Sequence, residues 1–108
     1  MMAARALINV PKQAKKGEVI SIRALISHEM ESGFRPNNSG QLIPRNIIKE
    51  FVCTYDDVEI FRAELFPAIS ANPYIAFTTV ATGSGTITMT WTGDNGFSAT
   101  ESVAIAVE

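Results

Sequence analysis

Along most of the chain apolar and polar residues alternate with a period of two, the signature of half-buried β-strands. Between residues 17 and 27, Ile20, Ile22, Ala24 and Ile26 fall on one face, while Ser21, Arg23 and Ser27 share the other. The alternation is sharpest at residues 86–92, where Ile87, Met89 and Trp91 interleave with Thr86, Thr88, Thr90 and Thr92. Threonine is β-branched and tolerates water, so this segment predicts a strand with a buried apolar face and a threonine-lined outer face. Residues 5–10, 47–55, 58–65, 75–81 and 97–107 read as further strands. Tyr55-Asp56-Asp57, Gly83-Ser84-Gly85 and Asn95-Gly96 mark turns between neighbours. Pro11 ends the first strand, because proline cannot donate to a ladder. Glu101 falls on the apolar parity of the last strand, and a β-bulge beside it would restore the alternation. No segment shows a sustained helical stripe. About seven short antiparallel strands with turn signals between them predict an all-β, immunoglobulin-like sandwich, with residues 1–108 forming one domain.

Two segments break the pattern. Residues 28–46 are too long for a tight turn and hold Pro36, Asn37, Asn38, Ser39, Gly40 and Pro44; residues 66–74 hold Pro67 and Pro73. Loops of this length in a compact domain are often functional.

Composition narrows the function classes. The chain is 46 % hydrophobic and 19 % charged, which excludes a disordered polypeptide, and no apolar run approaches the roughly 20 residues of a membrane helix. The formal net charge of −2 makes general nucleic-acid affinity a poor fit. That charge is divided unevenly, with a basic excess in residues 1–49 and an acidic one in residues 50–108. Such a division could steer a partner, but interleaving strands in a β-sandwich would mix the two. The single cysteine, Cys53, allows no intrachain disulfide, and residues 1–10 lack a continuous apolar leader. Taken alone, these features read as cytoplasmic.

Catalytic and metal chemistry finds few candidates. A blue-copper site needs two histidines and zinc needs several ligands, but His28 is the only histidine. Cys53 sits in a strand with Phe51 and Tyr55 on its side, so a buried small hydrophobe is favoured over a reactive thiol. His28 reads equally as a loop histidine bonded to backbone and as a contact point for a partner. No cofactor is implied. The residues by themselves reach a β-sandwich binding module.

Several segments resemble the SoxZ family. They are Val10-Pro11-Lys12, Ala14-Lys15-Lys16-Gly17-Glu18, Ile26-Ser27-His28-x-Met30-Glu31-x-Gly33, Ile43-Pro44-Arg45 with Ile47-Ile48, and Phe51-Val52-Cys53-Thr54. Pro67-Ala68-Ile69-Ser70-Ala71-Asn72-Pro73-Tyr74, Gly85-Thr86-x-Thr88, Trp91-Thr92 and Asp94 continue the likeness in the same register. The Ser-His-x-Met-Glu and Ser-Ala-Asn-Pro-Tyr stretches are its most specific parts. The resemblance implies a non-catalytic subunit of the thiosulfate-oxidising SoxYZ carrier complex. Its partner SoxY bears sulfur intermediates on the cysteine of a C-terminal Gly-Gly-Cys-Gly-Gly arm. It also implies a periplasmic heterodimer, exported together with SoxY, that meets the other Sox enzymes transiently through the complex. Strand alternation through Val103, Ile105 and Val107 fits the SoxZ side of that pair and not a glycine-rich swinging arm.

On this reading the partner-binding residues are sought in the two long segments: His28, Met30, Arg35, Ile43, Pro44, Arg45, Asn72, Pro73 and Tyr74. Pro44 and Pro73 could equally serve only to set loop shape. Cys53 could form a disulfide with a partner, since an unpaired cysteine in an exported protein suggests intermolecular pairing. Two alternatives remain: a sulfur-transfer enzyme using Cys53, and a generic immunoglobulin-like interaction module.

Overall fold

A computed structural model describes residues 5–108. The first four residues of the N-terminus, read above as free of a leader, lie outside them. Among the described residues eight strands form: β1 (Ala6–Asn9), β2 (Gln13–Ala14), β3 (Val19–Ile26), β4 (Ile48–Tyr55), β5 (Val58–Glu64), β6 (Tyr74–Val80), β7 (Gly85–Gly93) and β8 (Ser98–Val107). They pack as two sheets, β1-β3-β6 and β2-β8-β7-β4-β5, so the expected sandwich is present. Seven of the eight match segments read from the alternation. The eighth, β2, is two residues long and pairs with β8 in the one parallel contact among the described strands. A two-residue strand carries no period, so the sequence pattern could not show it.

The alternation fixes which side chains meet between the sheets. Ile20, Ile22, Ala24 and Ile26 of β3 point inward against Phe51, Cys53 and Tyr55 of β4 and Ile87, Met89 and Trp91 of β7, all buried. Phe51 is the hub, with its ring 5.1 Å from Trp91 and 6.4 Å from Phe77. Tilted aromatic contacts of this kind add to the area buried. On the outer face Thr88 Oγ1 lies 3.1 Å from Ser102 Oγ, extending the polar ladder.

Two turns follow their sequence signals. Asp56 and Asp57 both adopt positive φ (49° and 66°) and close the β4–β5 hairpin, where Asp tolerates that region better than most residues. Asn95 and Gly96 also have positive φ, but the link is a three-residue 3₁₀ turn, Asp94–Gly96, and not a two-residue one.

The bulge expected beside Glu101 is absent. The β7–β8 register runs unshifted from Gly85↔Ile105 to Thr92↔Ser98 and pairs Glu101 with buried Met89. Glu101 nevertheless stays in water. It shares the inward parity of Ala99, Val103 and Ile105, which are half-buried or buried, and yet is exposed.

Candidate partner-binding surface

The loop over residues 28–46 is an arm, not a disordered insertion. Glu31 and Asn46 bridge at its base with two backbone bonds of 2.8 Å, and Pro36 pairs with Leu42 further out. Asn37 closes the tip: its Oδ1 accepts from the N–H groups of Ser39 (2.9 Å) and Gln41 (3.1 Å), an Asx turn. Every residue from 34 to 42 is exposed. Phe34, at 78 % exposure, and Leu42, at 62 %, are therefore held in water on an ordered ribbon.

The base of the arm is clamped. Arg45 makes a bidentate pair with Asp94, Nε to Oδ2 and Nη2 to Oδ1, each 2.9 Å. Asp94 Oδ2 also accepts from the Ile47 N–H at 3.2 Å, while the Asp94 N–H donates to the Ile47 carbonyl at 2.9 Å. The Arg45 guanidinium beside it and the Ile47 amide hold the Asp94 carboxyl below the usual carboxylate range. Gly93 makes the approach possible, since a Cβ there would sit 2.3 Å from the Ile47 carbonyl oxygen. A second bidentate pair, Arg35 to Glu31, braces the arm along its length.

His28 and Met30 tie the arm into the core. The His28 Nδ1 accepts from the Met30 N–H at 2.9 Å, which fixes that nitrogen as unprotonated. Burial lowers the His28 pKa, opposed by Glu29 and Asp94. Its ring packs edge-on against Phe97 with centroids 4.8 Å apart. Met30, at a positive φ of 51°, buries its side chain, and its sulfur accepts from the Ile48 N–H at 3.2 Å. Across the sandwich end, Asn72 answers His28: Asn72 Oδ1 accepts from the His28 N–H (3.0 Å), and the Asn72 N–H donates to the His28 carbonyl (2.7 Å). The next residue, Pro73, accepts from the Ile26 N–H and leads into β6. The Ser-His-x-Met-Glu and Ser-Ala-Asn-Pro-Tyr stretches therefore meet in one knot, which positions the arm on one side and β6 on the other.

The candidate contact residues fall into distinct environments. His28, Met30 and Pro73 are buried and shape the knot. Arg45 is committed to Asp94 and Arg35 to Glu31. Pro44, Asn72 and Tyr74 are exposed and Ile43 is half-buried. Apolar surface that the sequence reading did not select, Phe34 and Leu42, stands further along the same arm. A phenylalanine inside an otherwise polar, proline-flanked loop was the available signal. Beside the clamp a cleft of about 440 Å³ is lined by Arg45, Lys49, Leu65, Phe66 and Pro67, with Phe66 exposed.

Cys53 is 0 % exposed, and burial pushes its thiol up to about 11. At neutral pH it is a protonated core side chain, out of reach of a partner's cysteine, so the intersubunit disulfide does not fit this fold. Among the described residues no three His, Cys, Asp or Glu side chains converge as a metal site would require.

Comparison with known proteins gives three findings. The family profile described as "Sulphur oxidation protein SoxZ" matches residues 8–104. No curated protein matches the sequence. Solved structures share the fold. A superoxide reductase (neelaredoxin) from Ignicoccus hospitalis is 18 % identical, with a TM-score of 0.71, covering 95 % of this chain and 80 % of its own. The sulfur carrier protein SoxY from Chlorobium limicola f thiosulfatophilum is 9 % identical, with a TM-score of 0.66, covering 95 % of this chain and 78 % of its own. At such identities these likenesses show the sandwich and nothing finer.

Proposed function

The chain belongs to the SoxZ family of sulphur oxidation proteins, and from that premise we propose that it is a non-catalytic binding subunit that pairs with a SoxY-type carrier. The carrier's cysteine arm bears the sulfur intermediates of thiosulfate oxidation, and this chain supplies the surface that holds the carrier folded and oriented. The pair works in the periplasm, exported together, and meets the other Sox enzymes through the complex.

The observation that carries the reading is the clamped arm. Bidentate ion pairs, a bridge and an Asx turn hold a ribbon in place, and the large apolar side chains Phe34 and Leu42 stand exposed on it. Ordering backbone costs conformational entropy, and an apolar side chain left in water returns nothing against that cost. A ribbon built this way gains its apolar contacts only when a second polypeptide covers it. Cys53 lends no support to the competing reading, sulfur transfer by this chain itself, because a buried neutral thiol is a poor nucleophile.

Sedimentation of purified chain mixed with SoxY tests the pairing. A stable one-to-one complex is expected; SoxY remaining apart from this chain at micromolar concentration would contradict it.

A further inference from the structure

We infer that β6 is the edge through which this chain joins its partner. An uncharged extended strand of the carrier subunit adds alongside β6, and basic residues flanking that strand face β5. This rests on the pairing reading above and says where the pairing occurs.

Two open sheets present four edges, and three of them are blunted. β1 has four residues and runs towards Pro11 and Lys12. β2 has two residues. β5 carries Glu59, Arg62 and Glu64. Short length, proline and charge are the devices by which sheets avoid unwanted strand pairing. β6 has none of them. Tyr74-Ile75-Ala76-Phe77-Thr78-Thr79-Val80 is seven residues without charge or proline, rich in β-branched and aromatic side chains.

Its backbone groups are set for a neighbour. The Ile26 N–H donates to the Pro73 carbonyl and the Ala81 N–H donates to the Glu18 carbonyl, which fixes the phase of the antiparallel β3–β6 ladder. Alternation then turns the N–H and C=O of Ile75, Phe77 and Thr79 towards β3, and those of Tyr74, Ala76, Thr78 and Val80 to the open side. Among the described residues, no hydrogen bond outside the β3 ladder reaches residues 74–80. The side chains continue the site. On the outer face Leu7, Leu25 and Tyr74 lie in register across the three strands. Between the sheets Phe61 of β5 stacks on Phe77 of β6 at 4.3 Å, and a cleft of about 540 Å³ is lined by Tyr55, Val58, Ile60, Thr79 and Val80. Val58 is 65 % exposed there.

Charge selects the occupant. Along β5 and the turn before it stand Asp56, Asp57, Glu59 and Glu64 against Arg62. A second copy of this chain, placed edge to edge on β6, would bring one acidic rim against another. A strand flanked by Lys or Arg meets the same rim favourably.

Residue-resolved hydrogen exchange of the chain with and without SoxY tests this, together with Thr78→Pro. Thr78 turns its N–H to the open side, so proline there removes no bond to β3. In the complex the amides of Tyr74, Ala76, Thr78 and Val80 should gain protection, while those of Ile75, Phe77 and Thr79 are protected already. Added salt should weaken binding. Thr78→Pro should weaken it by about tenfold or more, since a shared-ladder donor is lost. Ala76→Lys, which leaves the backbone intact and sets a like charge before a basic flank, should weaken binding too and serves if the proline chain fails to fold. A complex in which those four amides exchange as in the free chain overturns the inference and leaves the pairing standing. Concentration-dependent protection of the four amides in the isolated chain would also overturn it, in favour of a second copy. No complex at all overturns both.

Discussion

The middle of the sandwich and its periphery use the same side chains to opposite ends. Phe51, Trp91, Ile22 and Ile87 are closed off between the sheets, whereas Phe34, Leu42, Val58 and Tyr74 stand in water on the arm and beside β6. The difference does not come from residue type, nor from looseness of the exposed regions. The arm is braced by two bidentate ion pairs, and β6 is in full register with β3. The contrast teaches that burial is complete where this chain must fold by itself and withheld where, on our reading, a second subunit finishes the packing.

Substitutions can sharpen or break that contrast. The largest effect belongs to the middle. Trp91→Ala empties the space beside Phe51 and should cost about 3–5 kcal/mol of unfolding free energy in urea titrations. Next is the knot. Met30→Ala removes packing and the acceptor of the Ile48 N–H together, and should cost about 2–5 kcal/mol in the same titration. A value near zero would mean that the knot is not part of the self-sufficient core.

Acidity probes the same knot more gently. Burial lowers the His28 pKa in the folded chain, so below the ordinary imidazole value of 6.5 the unfolded chain binds the proton more readily. Stability from this source is fully present above that pH and declines as the pH falls from 6.5 towards the depressed folded value. Protonation would also remove the acceptor of the Met30 N–H. Urea midpoints measured between pH 7.5 and pH 5.5 should fall on acidification, and a His28→Asn chain should show a flatter profile. The smallest effect on folding belongs to the arm. Phe34→Ser should leave stability within about 0.5 kcal/mol of the starting chain while weakening association with SoxY. A large loss of stability would show that Phe34 serves this chain's own core.

Local pattern made much of the molecule legible from sequence. The threonine alternation at residues 86–92 marks β7 and its buried face. Ile20, Ile22, Ala24 and Ile26 do the same for β3, and Asp56-Asp57 marks its hairpin. What stayed hidden depends on partners distant in the chain. β2 exists only because β8 lies beside it, and the unshifted β7–β8 register leaves Glu101 on the apolar parity and still exposed. His28 and Asn72 stand 44 positions apart, and each alone looks like a polar loop residue. Their reciprocal bonds draw the two loops into the knot in which His28, Met30 and Pro73 are buried. The blunted edges β1, β2 and β5 could be judged only once topology showed which strands are edges.

Native mass spectrometry of the assembled pair, after sulfur loading from thiosulfate by the Sox enzymes, tests most directly the claim that this chain provides surface and not sulfur chemistry. The expected result is a one-to-one complex in which added sulfur sits on SoxY and the mass of this chain is unchanged. Sulfur recovered on the peptide containing Cys53 would contradict it.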